Sequence, residues 1–139
     1  MSESRGKFGT IDNETAADQL KKKEKVAQDY LDNPEKLRKL IEEGAKKANS
    51  IKGPFDELAN MLKVLFSLTK DWINGSYRVV PVGSIIVIVA ALIYFLSPVD
   101  LIPDILPIVG LSDDVVVVAL AYKQVKSDIE KYKVWKGME

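Results

Sequence analysis

Apolar residues recur with a helical period along this chain as far as Arg78, and there the period ends. Between Thr15 and Leu31, Ala16, Leu20, Ala27 and Leu31 form a thin stripe with Val26 and Tyr30 beside it. This spacing predicts a first helix. Asn33-Pro34 supplies a second helix start, with Asn33 as N-cap and Pro34 at the first helical position. Leu37, Leu40, Ile41, Ala45, Ala48 and Ile51 follow at helical spacing until Gly53-Pro54. A third helix, Pro54 to Ile73, carries the clearest stripe: Phe55, Leu58, Ala59, Leu62, Leu65, Phe66, Thr69, Trp72 and Ile73. Asp56, Glu57, Lys63, Lys70 and Asp71 fall elsewhere, and Asn74-Gly75 is a stop signal. Such a stripe either packs into a core or lies along a membrane with Trp72 at headgroup depth.

After Arg78 the pattern changes. Residues 79–99 carry no charge, and between Val79 and Leu96 the only polar side chains are Ser84 and Tyr94. As a continuous helix this window spans roughly 30 Å, the thickness of a bilayer core. Its Val, Ile, Leu and Phe residues supply about −4 to −7 kcal/mol on an insertion scale. The competing arrangement is a fully buried central helix of a small bundle. A second apolar stretch, Ile105 to Tyr122, gains about −3 to −6 kcal/mol, but Asp113 and Asp114 cost about 5 to 7 at the bilayer centre. It is therefore expected to enter only when packed against the first, as a hairpin. Val115, Val118, Ala119, Tyr122 and Val125 keep it helical rather than extended.

Composition narrows the chemistry. Twenty basic residues balance twenty acidic ones, so there is no global field for nucleic acid. Cysteine and histidine are both absent, which removes thiol chemistry and the commonest general base and metal ligand. Ser97 and Ser112 have no histidine to activate them, and no glycine-rich phosphate loop is present. The first residues, MSESRGKFGTIDNET, lack the apolar run of a secretory signal. Lys21, Lys22, Lys23 and Lys25 form a basic cluster, either a solvated face or a contact for anionic headgroups.

Between the two apolar stretches stands YFLSPVDLIPDILPIVGLSDD. Tyr94, Ser97-Pro98, Asp100-Leu101-Ile102-Pro103-Asp104, Pro107, Gly110 and Asp113-Asp114 resemble the signature of the YkvA-like family, over roughly residues 79–122. The resemblance implies a membrane-associated protein without an assigned activity, and it transfers no catalytic residue. Read physically, Ser97, Pro98 and Asp100 make a helix start, and Pro103 and Pro107 stiffen the connection. Gly110 ends a short turn, and Ser112-Asp113-Asp114 open the last helix with carboxylates at its positive end. The sharper alternative is that Asp100, Asp104, Asp113 and Asp114 converge on a hard cation such as Ca²⁺ or Mg²⁺.

These readings predict an all-α chain. Residues 1–14 form a disordered tail, 15–75 an amphipathic helical region, 76–123 a membrane-embedded helical hairpin with an acidic proline-rich turn, and 124–139 a charged C-terminal helix or tail. Lys63, Lys70 and Arg78 precede the hairpin, and Lys123, Lys126, Lys131, Lys133 and Lys136 follow it, so both termini are expected in the cytoplasm. Tyr132 and Trp135 dock either on the cytoplasmic helices or on the membrane surface. The expected function is non-enzymatic and cofactor-free: binding or scaffolding at the bilayer, with a protein partner or a second copy, and no nucleic acid. The alternatives are cation binding or conduction at the acidic turn, and a soluble helical interaction domain.

Overall fold

The structure is a computed structural model that describes residues 12–51, 55–96 and 107–138, with side chains of the last stretch from Asp114 onward. Among these residues the chain forms six helices and no strand. They are α1 (Asn13–Leu31), α2 (Pro34–Asn49), α3 (Asp56–Ile73), α4 (Val82–Leu96), α5 (Pro107–Gln124) and α6 (Lys126–Lys136).

Local chemistry sets the boundaries. Asp12 caps α1 by accepting from the Thr15 amide at 2.8 Å, and Asn33 caps α2 through the Lys36 amide at 3.2 Å. α3 ends where Gly75 takes a φ of +82°, which lets the Ser76 and Tyr77 amides both bond to the Asp71 carbonyl. Asn74-Gly75 therefore acts as the stop its sequence indicates.

α4 is the hub of the bundle. It packs most extensively on α1 and also touches α2, α3 and α5. Ile85, Ile88, Val89, Ala90, Ala91, Leu92, Ile93, Tyr94 and Phe95 are all buried. The stripes of the preceding helices supply the cover: Ala16, Leu20 and Ala27 from α1, Leu37, Leu40, Ile41 and Ala48 from α2, and Leu58, Leu62, Leu65 and Leu68 from α3. α3 thus uses its stripe as core. α1 keeps Lys21, Lys22 and Lys25 in solvent, and its fully buried side chains, Ala16, Leu20 and Ala27, are small or aliphatic. α2 approaches α3 through Gly44, whose missing Cβ leaves room for the Phe66 ring. That ring meets Phe95 of α4 edge-on, with centroids 6.5 Å apart.

Helix boundaries differ from expectation at two places, the start of α4 and the start of α5. The helix expected from Val79 begins at Val82, because Val79 and Val80 are non-helical ahead of Pro81, a proline neighbourhood that disfavours helix. The 15 residues of α4 span roughly 22 Å, short of a bilayer core. No helix among the described residues is long and apolar enough to cross a membrane. Further on, α5 starts at Pro107 and runs through Gly110, so Pro107 opens a helix and Gly110 does not end a turn. Asp113 and Asp114 consequently lie beyond the first turn of α5 and cannot cap it.

Candidate functional site

The most organised polar cluster joins α3 to α6. Ser67 and Asp71 stand four residues apart on α3, and Tyr132 and Lys136 four apart on α6, so each pair shares one helix face. Tyr132, fully buried, donates its single hydroxyl proton to Asp71 Oδ2 at 2.6 Å. With that proton committed, the Ser67 hydroxyl is the donor in its 2.5 Å contact with the Tyr132 oxygen. Lys136 Nζ closes the cluster on Asp71 Oδ2 at 2.9 Å.

The electrostatics follow from these contacts. Burial pushes the Asp71 carboxyl up, but the Tyr132 and Lys136 hydrogen bonds and the positive charges of Lys136 and Lys70 outweigh it, and the group sits below its ordinary range. Burial, and then the bond to ionised Asp71, push the Tyr132 phenol well above its ordinary value. Asp71 is thus held as a carboxylate and Tyr132 as a neutral phenol, and the two are tied to each other and to Lys136. This arrangement locks two helices together and leaves no activated nucleophile within the cluster.

An aromatic layer continues the lock. Tyr77, in the link between α3 and α4, meets Tyr132 edge-on at 5.1 Å and lies 4.8 Å from the Trp135 ring. Seven residues on, Ser84 Oγ donates to Asp128 Oδ2 at 2.5 Å. The link is therefore fastened to α6 at Tyr77, and the first turn of α4 at Ser84. Arg78 lies over the Trp72 ring, 4.3 Å from its centroid. Tyr132 docks on the helices, as one of the two expected placements had it, while Trp135 remains half exposed.

At the other end of α4, Lys47 donates to the Phe95 carbonyl and sits 4.5 Å above the Phe95 ring centroid. A cation there meets the negative end of the helix dipole. Beside it, Tyr30, Lys36, Lys39, Leu40, Glu43, Ile93 and Leu96 line an open groove of about 390 Å³.

The aspartates of the acidic turn are only partly visible. Asp100 and Asp104 lie outside the described residues, as does the Ser97-Pro98 start. Asp113 falls within α5, and its side chain lies outside the description. Asp114 is buried, on the α5 face that also carries Val117, Val118 and Ala121. Among the described residues no three acidic side chains gather as a metal cage. Sequence pattern did not single out Ser67, Asp71 or Lys136. The one available signal was polar residues at four-residue spacing on two helices, which solvent-facing helices also show.

Known proteins bear on this geometry. A family model described as a protein of unknown function (DUF1232) matches residues 84–120, which run from the first turn of α4 into α5. The "Uncharacterized membrane protein YkvA" of Bacillus subtilis (strain 168) is 31% identical over 75 residues, covering 54% of this chain and 71% of that protein. This chain belongs to the YkvA-like family. No solved structure matches it. The YkvA-like match holds the hub helix and its partner α5, while α1, α2 and the lock on α3 and α6 lie outside the family model. Neither the family description nor the relative's name carries an activity.

Proposed function

We propose that this protein is a non-enzymatic membrane-associated module, whose α4–α5 pair is the bilayer-seeking element and whose other helices bind or scaffold on the cytoplasmic side. The observation that carries the reading is the composition of α4, which holds no charged residue and one serine among 15 positions. The Bacillus relative's name as a membrane protein supports it. Basic residues before α4 and after α5 favour both ends on the cytoplasmic side. Because α1, α2 and α3 cover α4 in the bundle, a hairpin embedded in lipid requires those helices to swing aside. The exchange is cheap in principle, since lipid tails are as apolar as the leucines that they replace.

Membrane pelleting after an alkaline wash, with reporters at both termini reading cytoplasmic, is the expected result. Quantitative recovery as a detergent-free soluble monomer would sink the reading. It would favour the second one, a soluble helical interaction domain, to which the burial of α4 beneath α1, α2 and α3 lends support. Cation binding at Asp100, Asp104, Asp113 and Asp114 is tested separately by melting with and without Ca²⁺ or Mg²⁺. A saturating cation that binds only the folded state stabilises it by about 2.7 kcal/mol at a hundredfold excess over Kd. That gain should vanish in Asp104→Asn and Asp113→Asn.

A further inference from the structure

The link between α3 and α4 leaves an apolar edge in solvent. Val79 is 76% exposed and Val82 60% exposed, with Pro81 exposed between them. Tyr77 packs on Trp135 at the C-terminal end of α6, and Ser84 bonds to Asp128 near its start, so this edge runs along α6. Trp135 at 50% and Val134 at 81% exposure extend it.

Exposed charge around the edge is mostly basic. Arg78 is exposed over Trp72, and Lys70, Lys131, Lys133 and Lys136 stand on the adjoining turns of α3 and α6. Of the nearby carboxylates, Asp71 is buried beneath Tyr132 and Lys136, and Asp128 holds Ser84. Glu130 is the exposed acid on α6. Exposed valines, a half-exposed tryptophan and a cationic surround match the layered chemistry of an anionic bilayer surface: acyl boundary, interface and phosphate.

We propose that the edge formed by Val79, Pro81, Val82 and Trp135, with Arg78 and the α6 lysines, is where this protein seats on anionic phospholipid. The proposal rests on the membrane-association reading and names the surface and lipid charge that serve it. Seating there requires no opening of the bundle, because Arg78, Val79, Pro81, Val82 and Trp135 are already exposed.

The test is flotation of the purified full chain with vesicles of equal parts phosphatidylglycerol and phosphatidylcholine, against vesicles of phosphatidylcholine alone. The wild type should float with the anionic vesicles and far less with the neutral ones. Val79→Asp with Val82→Asp should cut that binding by about tenfold or more, as expected for losing the burial of two valines. Its circular dichroism and melting should match the wild type, because both positions face solvent. Arg78→Gln should weaken binding to the anionic vesicles only. A double variant that floats like the wild type overturns the proposal while leaving membrane association standing. A wild type that pellets with membranes in cells but binds neither vesicle does the same. A wild type that neither pellets nor floats overturns both readings. A dimer that the double variant dissolves, with no vesicle binding, overturns the lipid proposal and gives the edge to a second copy.

Discussion

Gly44 of α2 stands directly against the ring of Phe66 on α3. A Cβ built on Gly44 would meet the far edge of that ring well inside 3.0 Å, closer than real side chains approach. Alanine in place of a mid-helix glycine normally gains about 1 kcal/mol. Here Phe66 is buried and backed by Phe95, so the ring has little room to retreat. Overpacking of this kind costs about 1 to 3 kcal/mol and should win. Gly44→Ala is expected to lower the urea midpoint, and Phe66→Leu in the same chain to recover part of the loss. A stabilised Gly44→Ala variant would mean that the helices part more easily than the packing indicates.

Asp71 ties stability to acid. Its folded pKa is lowered, so its contribution is present above the unfolded value of about 4 and is lost as pH falls through the folded one. The wild type should lose stability on acidification more steeply than Asp71→Asn, whose profile should flatten over the same range. Asp71→Ala leaves Tyr132 and Lys136 without their acceptor and should cost about 1 to 3 kcal/mol at neutral pH. Melting temperature against pH for the three proteins checks both statements.

Tyr132 makes the opposite prediction at the alkaline end. Its folded pKa is raised, so its contribution is complete below the unfolded value of about 10 and fades as pH rises towards the folded one. Tyr132→Phe should remove that alkaline decline and cost about 1 kcal/mol at neutral pH through the lost hydrogen bonds. An alkaline melting profile identical to the wild type would show that Tyr132 does not govern it.

Gly75 turns the chain out of α3 with a left-handed φ of +82° and nothing crowding its missing side chain. Gly75→Ala should therefore cost about 1 to 2 kcal/mol from backbone strain alone. Gly75→Asn should cost less, because asparagine tolerates this region. Thermal melts of the pair separate conformational strain from packing.

Much of the helix order is legible in the spacing of apolar residues. The caps at Asn33-Pro34 and the stop at Asn74-Gly75 work through nearest neighbours, so pattern alone finds them. The start of α4 is less legible, because Pro81 stands inside an otherwise uninterrupted apolar run and shortens the helix from within. Hydrophobicity alone also does not say what covers α4: a leucine of α1 and a lipid tail satisfy Ile88 equally well. The lock is hidden for a related reason. Asp71 looks like one more exposed acid until α6 folds back on it, a contact made across 61 residues of chain. Gly44 gives no positive signal, since a glycine is read as a weak helix former before it is read as a socket for an aromatic ring.

One feature of the bundle has a temporal side. Of the four helices that pack most on α4, three precede it in the chain, α1, α2 and α3, and only α5 follows. At roughly 5–20 residues per second of synthesis, α1 to α3 are complete about 1 to 5 s before α4 is. A freshly made α4 therefore meets a waiting cradle of its own kin. The order of translation hands the first claim on this apolar segment to protein, and any lipid must compete with a surface already in place.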